Sequence, residues 1–449
     1  MQITGLKNTK KIYMIGIGGI SMSSLAKYLS VNGYTISGSD MQKGEQTDAL
    51  AFYGIKVYVG TDENRKELIE ADIIIYTDAI AENHVELLSA RRREKRVYSR
   101  GELLAWICND FLTVIAIAGS HGKTTCTSMC AHVLKYASVP FTAHIGGEDS
   151  LLGNFYYTGN DYLVSEACEY KKNFLKIKPD VAILLNIDCD HMECYNGEED
   201  LIECFYEYCK KARTTFVCAD DKRCNMLGEF SSFAIENSQA DYRAVQLRAN
   251  NEKYSFVVEE YGRAVCTVRL NAVGKCNVYN ALAAFAAMRS LGFDEREIAK
   301  GLENFSAVKR RFEKIGNYRG ASVICDYAHH PREIASTMIT AKGICKKELY
   351  VVFQPHTYSR TKLLFHDFVR VLRTIKNLII YKTYPARETY DEEGSAKRLA
   401  HEVSDCLYVD NAEVLKTWLD KTVGEGDVVL YLGAGDIYYV AQYLLKQLN

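Results

Sequence analysis

One segment constrains the fold of this chain more than any other. The apolar run 111–118 leads into Gly119-Ser120-His121-Gly122-Lys123-Thr124-Thr125, and a helical pattern follows. A strand, a glycine-rich turn and a helix in that order belong to a parallel α/β sheet, with the turn at the strand's carboxyl end. Backbone N–H groups in such a turn point inward at phosphate oxygens, and the dipole of the helix adds to the attraction. The spacing assigns Lys123 to the β- and γ-phosphates of a nucleotide and Thr124 to Mg2+. The usual phosphate loop carries a further glycine two residues before Gly119, where this chain has Ile117. The competing reading is a plain tight turn, which the strand, the Gly-Lys-Thr triplet and the helix together disfavour.

Beta-type runs alternate with helical stretches along nearly the whole chain, so the expected class is α/β with helices on both faces of mostly parallel sheets. The first part reads as strand 11–16, a glycine turn, helix 22–32, a strand 34–37 ending near Asp40, and a strand 71–76 ending at Thr77-Asp78. The second holds the phosphate loop and strands 161–165 and 181–186. Short alternating strands over 242–273 read as a small antiparallel insert, and 277–291 as a helix with Val278, Leu282, Phe285 and Leu291 on one stripe. The third has strands 322–326, 348–354, 377–382, 406–409 and 427–432. Three domains follow: a Rossmann-like domain 1–108, a central P-loop ATPase-like domain 109–313, and a second Rossmann-like domain 314–449. A length of 449 residues agrees with that division.

Composition excludes some partners. A formal net charge of −2 asks for no polyanion, so no nucleic acid is expected. The basic run from Arg91 to Arg96 contains Glu94 and is placed on a helix as a solvated face. The apolar stretch 12–20 is too short to cross a bilayer and no secretion signal is recognised, so the expectation is a cytoplasmic chain without a membrane partner. Its 15 cysteines, with no C-x-x-C pair, are then free thiols. Cys126 and Cys130 lie one helical turn apart and are read as buried packing residues, since no third ligand accompanies them.

Further polar clusters close the strands, where open parallel sheets bind ligands. Glu166 follows strand 161–165, and Asp188-Cys189-Asp190-His191 follows 181–186. A carboxylate and an imidazole at neighbouring strand ends suit a second Mg2+, which takes few protein ligands beside phosphates and water. Gly16-x-Gly18-Gly19-x-Ser21 is less specific. Ser21 replaces the third glycine of a dinucleotide fingerprint, so the turn says diphosphate, of NAD or of another nucleotide. The last part contributes Arg310-Arg311-Phe312-Glu313, Asp326-Tyr327-Ala328-His329-His330-Pro331 and Gln354-Pro355-His356-Thr357-Tyr358-Ser359-Arg360-Thr361. The paired histidines suit hydrogen bonding better than zinc, and the arginines suit a carboxylate or phosphate.

Taken in order over essentially the whole chain, these residues resemble the Mur ligase family. The stretch from Gly16 to Ala26 is similar to its uridine-nucleotide loop, with serines at 21 and 24 where the family has glycine, and Ser37-Gly38-Ser39-Asp40 follows. The shortened phosphate loop is typical of the family. Glu166-Ala167-Cys168-Glu169-Tyr170 and Asn186-Ile187-Asp188-Cys189-Asp190-His191 resemble its magnesium-binding stretches. The segment from Gly274 to Ala284 resembles its adenine-side helix, with Cys276 for a usual histidine. Arg311-Phe312-Glu313, the Asp326 and Gln354 clusters, Tyr384-Pro385-Ala386-Arg387-Glu388 and Leu432-Gly433-Ala434-Gly435-Asp436-Ile437 complete the series.

The resemblance implies ATP-dependent amide-bond formation with Mg2+, through an acyl phosphate. It implies UDP-N-acetylmuramate and L-alanine as small-molecule substrates, and a monomer or homodimer. Gly16, Gly18, Gly19, Ile20, Ser21 and Asp40 would hold the UDP-sugar. Gly119, Ser120, His121, Gly122, Lys123, Thr124 and Thr125 would hold ATP, with Asn280 at the adenine, Asn277 beside it, and Arg311 and Asp326 at the ribose and phosphate side. Thr124, Glu166 and His191 would hold the metal. Lys123, Glu166, His191, His329, His356 and Arg360 are the catalytic candidates, the last three at the alanine and acyl-phosphate region. Three alternatives stay open: a ligase that attaches a recycled tripeptide to the same UDP-sugar, an NAD-dependent dehydrogenase with Asp40 on the ribose, and a non-enzymatic nucleotide switch.

Overall fold

The computed structural model describes residues 3–447. Three sheets carry the chain. The first sheet has five strands in the order Lys56–Val59, Thr35–Asp40, Lys11–Ile15, Ile73–Tyr76 and Arg96–Ser99, and every pairing is parallel. The order reverses between Lys11–Ile15 and Ile73–Tyr76, so the turn after Ile15 opens into the crevice that such a reversal leaves. The helix Ile20–Val31 follows directly.

The second sheet has ten strands. Its phosphate-loop strand Thr113–Ala118 lies between Val181–Leu184 and Tyr162–Glu166, parallel to both. Residues Val114–Ala118 are all buried, as a strand covered on both faces requires, and this is why the segment reads as an unbroken apolar run. Beyond Tyr162–Glu166 the sheet ends in the hairpin Phe141–Asp149 and Gly153–Tyr157. At its other end stand Tyr242–Asn250, Lys253–Glu260 and Arg263–Val273. These correct the expected small insert: the strands have 9, 8 and 11 residues and extend the central sheet itself. Their alternating sequence reflects exposure at a sheet end, where polar side chains tolerate one solvated face.

The third sheet has six strands, with Glu313–Tyr318 antiparallel at one edge and five parallel strands beside it. Two further expectations need correction. The helix Cys276–Ser290 is buried around its circumference from Asn280 to Met288, so its apolar residues form no single stripe, and Leu291 lies beyond its end. The basic run is split: Arg91 and Arg92 end the helix Val85–Arg92, Glu94 takes a left-handed turn, and Arg96 opens a strand. Arg91 and Arg92 pair with Glu82 and Glu63.

The chain divides into two compact units. One runs through Leu247 and adds Ser255–Leu270 and Asn277–Ser306. The other comprises Arg248–Tyr254, Asn271–Cys276 and the chain from Ala307. The first sheet and most of the second therefore share a unit. Helix Ile20–Val31 packs on the hairpin of the second sheet there: buried Lys27 donates to Asn154 Oδ1 at 2.5 Å, and Asn154 donates to the Ile20 carbonyl at 2.8 Å. All 15 cysteines are free thiols, and Cys126 and Cys130 are fully buried in the helix Lys123–Tyr136. No helix among the described residues is long and apolar enough to cross a membrane.

Candidate active site

The phosphate loop owes its shape to two glycines and one asparagine. Gly119 and Gly122 have φ of +131° and +87°. A Cβ on Gly119 would stand 3.1 Å from the Asn186 backbone, and one on Gly122 would stand 2.6 Å from Asn280 Oδ1. Both positions thus need glycine for conformation and for space. Asn186 pins the loop from the next strand's end. Its Oδ1 accepts from the His121 N–H at 2.8 Å, and its Nδ2 donates to the His121 carbonyl at 3.0 Å. The Ser120 hydroxyl receives the Asp188 N–H at 2.8 Å, and the His121 ring lies 3.1 Å from the Asp188 carboxylate.

Lys123 opens the helix and turns back over the loop, donating to the Ser120 carbonyl at 3.2 Å and to Glu169 at 2.9 Å. Burial pulls its pKa down, but the charge of Glu169, with Cys168 and Glu166 behind it, outweighs burial and raises it. The cation is therefore secure at neutral pH. Beside it, Glu166 ends its strand in register with Ile117. Its Oε1 accepts from the Gly146 N–H at 2.7 Å, and its second oxygen has no hydrogen-bond partner among the described residues. A Cβ on Gly146 would meet the Glu166 carboxylate at 2.3 Å, so a larger residue there would displace that side chain. Thr124 is nearly buried at the helix start, and its hydroxyl also has no hydrogen-bond partner among the described residues. Available hydroxyl and carboxylate oxygens suit a hard cation such as Mg2+. His191 adopts φ +56°, with its ring 5.1 Å from Tyr170 and Nδ1 3.5 Å from Glu193. On the helix Cys276–Ser290, Asn280 donates to Asn277 Oδ1 at 3.0 Å. Cys276 is exposed.

The first turn is built differently. Gly16 has φ +76°, and a Cβ on it would meet Thr77 at 2.5 Å. The Asp40 carboxylate accepts the Gly18 N–H at 2.9 Å, and Gly19 N-caps the helix that begins at Ile20. Ser21 turns to the second sheet, where its hydroxyl lies 2.8 Å from His144 Nε2.

In the second unit the carboxyl ends of the third sheet gather the remaining candidates. Asp326 accepts from the Phe312 and Ala328 N–H groups at 2.7 and 2.9 Å and from the Thr337 hydroxyl at 3.1 Å. Burial raises its pKa against the pull of Arg311 and the two N–H groups. The Arg311 guanidinium lies 4.9 Å from the Tyr327 ring centre. Its neighbour Arg310 donates to the Gly433 and Gly435 carbonyls at 3.1 and 2.7 Å. His356 stands 3.1 Å from the Arg360 guanidinium, stacks on Tyr384 at 5.5 Å, and meets the edge of His329 at 5.8 Å.

Sequence reasoning passed over four residues that this geometry brings forward. Glu169 and Asn186 stand inside motifs that were already visible, three residues after Glu166 and two before Asp188. Arg100 and His144 carried no signal, because their partner Ser21 is distant in sequence.

Residues 11–112 match the Mur ligase family catalytic domain, 117–288 the Mur ligase middle domain, and 310–435 the Mur ligase glutamate ligase domain. The chain belongs to the Mur ligase family and is a ligase. It is 37% identical to the UDP-N-acetylmuramate–L-alanine ligase of Caldicellulosiruptor saccharolyticus, over 97% of this chain and 98% of that one. It is 36% identical to the ligase of the same name from Clostridium acetobutylicum, over 98% and 99%. The crystal structure of UDP-N-acetylmuramate–alanine ligase from Thermotoga maritima superposes with a TM-score of 0.85 at 29% identity, covering 98% of this chain and 99% of that one. A murein peptide ligase from Psychrobacter arcticus shares the fold, with a TM-score of 0.76 at 21% identity over 98% of each chain.

Proposed function

We propose that this chain is a UDP-N-acetylmuramate–L-alanine ligase. It joins the amine of L-alanine to the lactoyl carboxylate of the UDP-sugar at the expense of ATP, in peptidoglycan precursor synthesis in the cytoplasm. Near-complete coverage of relatives with that name supports the substrate assignment. The observation that carries the chemistry is a loop with a fixed cation, Lys123, beside the Glu166 strand end, in the same unit as a second glycine turn.

Residues 1–108 are assigned to the UDP-sugar, 109–313 to ATP and 314–449 to the amino acid. Gly16, Gly18, Gly19, Ile20, Ser21 and Asp40 take the UDP-sugar. The distant nucleotide supplies binding energy that positions the lactoyl carboxylate for attack on the γ-phosphate. That attack brings two anions together. Lys123 and the N–H groups at the start of its helix offset the charge, and Glu169 holds the ammonium at the loop until phosphate oxygens compete for it. Thr124, Glu166 and His191 would hold Mg2+, which supplies charge neutralisation of the triphosphate when bound. Asn280 and Asn277 are assigned to adenine, and Arg311 and Asp326 to the ribose and phosphate side. The acyl phosphate and ADP form first. The alanine amine then adds to the acyl carbon, and phosphate leaves. His329, His356 and Arg360 are assigned to the alanine and acyl-phosphate region.

The test is phosphate release from ATP with UDP-N-acetylmuramate and either L-alanine or the tripeptide L-alanyl-γ-D-glutamyl-meso-diaminopimelate. Release with L-alanine is expected. Release with the tripeptide alone would overturn the assignment, and release with neither would overturn the whole reading.

A further inference from the structure

Ser21 lies in the first turn of the helix Ile20–Val31, and the structure sets a histidine against its hydroxyl. Strand Phe141–Asp149 presents His144 in register with Ser165, one residue before Glu166. The His144 ring is buried, with Nε2 2.8 Å from the Ser21 hydroxyl and Nδ1 2.8 Å from the Ser165 hydroxyl. Two further bonds complete a chain: Arg100 donates to Ser21 Oγ at 3.3 Å, and Ser165 donates to the Glu166 carbonyl at 3.1 Å.

The ends give the chain a direction. A guanidinium only donates and a carbonyl only accepts. With Arg100 donating to Ser21, the Ser21 proton goes to His144 Nε2. The Nδ1 proton then goes to Ser165, whose own proton goes to the Glu166 carbonyl. Every donor and acceptor is used once, provided that His144 is neutral. Burial, helped by the Arg100 charge, lowers its pKa to about 3 against a smaller opposing pull from the Ser21 main chain. Arg100 has no ion-pair partner among the described residues, so its remaining donors can meet an anion at the first turn.

From this geometry we infer that His144 is a positioning residue, which ties the UDP-sugar turn at Ser21 to the Glu166 strand end through the Arg100–Ser21–His144–Ser165 chain. Anion binding beside Ser21 is thereby felt at Glu166, and nucleotide binding beside Glu166 is felt at Ser21. The inference rests on the ligase reading above. The two sites are in one unit, and the interlocked Lys27, Asn154 and Ile20 keep the helix and the hairpin from absorbing the shift.

The experiment compares wild type with His144→Gln, His144→Asn, His144→Phe, Ser21→Ala and the double variant Ser21→Ala/His144→Phe. A Gln amide reaches the Nε2 position and keeps the Ser21 half of the chain. An Asn amide reaches the Nδ1 position and keeps the Ser165 half. Calorimetry reads the Kd of UDP-N-acetylmuramate with and without a non-hydrolysable ATP analogue, and steady-state assays read KM for each substrate. In wild type the analogue should tighten UDP-sugar binding by roughly fivefold or more, the range of ordinary site coupling. His144→Gln and His144→Asn should each lose most of that factor while binding the ATP analogue within about twofold of wild type. The double variant should be no worse than His144→Phe alone, because both break one chain. Retained coupling in the Gln and Asn variants, absence of coupling in wild type, or additive losses in the double variant would overturn the inference. If His144→Phe does not fold, the Gln and Asn variants decide it. Wild-type phosphate release with L-alanine tests the ligase reading separately.

Discussion

The turn after Lys11–Ile15 and the loop after Thr113–Ala118 use the same local plan: a parallel strand, a left-handed glycine with no room for a side chain, and a helix start. They differ in the charge at the centre. The first has the Asp40 carboxylate on the Gly18 N–H, and the second has the Lys123 ammonium folded over its own carbonyls and paired with Glu169. A helix N-terminus attracts any anion, so the plan alone does not choose a ligand. The side chain set beside it does. A carboxylate suits a sugar hydroxyl or a base N–H and is a poor neighbour for a triphosphate. A partly buried cation suits a phosphoryl group in transfer. This contrast supports the proposed anchoring role of the first turn and the proposed chemical role of the second.

The largest effect tests the second half of that contrast. Lys123→Ala should lower phosphate release by about a thousandfold, the scale of losing one transition-state charge contact, while UDP-sugar binding measured by calorimetry stays within about twofold. Turnover within a few-fold of wild type would remove Lys123 from the chemistry.

Next in size is the metal. Activity should be lost in excess chelator and return with Mg2+ or Mn2+. His191→Ala should raise the Mg2+ concentration for half-maximal activity by roughly tenfold or more. A variant with unchanged metal dependence would leave His191 as a residue of loop shape alone.

The first turn is tested by Gly18→Val. Its Cβ would stand 2.7 Å from Thr47 Cγ2 and 2.9 Å from Asp40 Oδ2, so the turn must open and lose its approach to the diphosphate. UDP-N-acetylmuramate binding should weaken by about ten- to a hundredfold, equivalent to one or two steps of 1.4 kcal/mol. ATP binding should stay unchanged, and NAD should bind neither protein measurably. Equal losses of both ligands, or tight NAD binding, would break the division of labour between the two turns.

The smallest effect is on acid stability. His144 is neutral and buried, and its pKa is lowered to about 3 from an unfolded value near 6.5. Below 6.5 the unfolded chain binds a proton that the folded one refuses. Stability therefore falls as the pH drops from 6.5 towards 3, by at most about 1.4 kcal/mol per pH unit, and is unaffected above that window. Denaturant titrations should show a shallower loss between pH 6 and 4 in His144→Gln than in wild type. Equal slopes would mean that His144 takes up a proton without leaving its bonds.

The sequence disclosed much of the two turns but less of what surrounds them. Val114 to Ala118 read as a buried strand because a parallel sheet covers both faces. Tyr242 to Val273 misled because alternation marks a half-exposed strand, whether it stands in a separate insert or ends a larger sheet. The helix Cys276–Ser290 misled in the opposite sense: a helix covered from all sides has no polar face to betray its orientation. Lys123 was legible as a cation, but its partner Glu169 was not, since that pairing depends on two strand ends being neighbours.

By itself the sequence determined the α/β class, the strand–turn–helix units and the order of motifs that marks the family. These are carried by residues close in the chain, where periodicity and glycine chemistry act without help from the rest. Only the tertiary structure decided which polar groups meet. Ser21 and His144 are 123 residues apart, and Asn186 reaches the phosphate loop from 65 residues away. Strand order brings them together, and strand order follows from how the whole apolar surface is buried. Once buried, each of these groups needs a hydrogen-bond partner, and the partner is whichever group the neighbouring strand supplies.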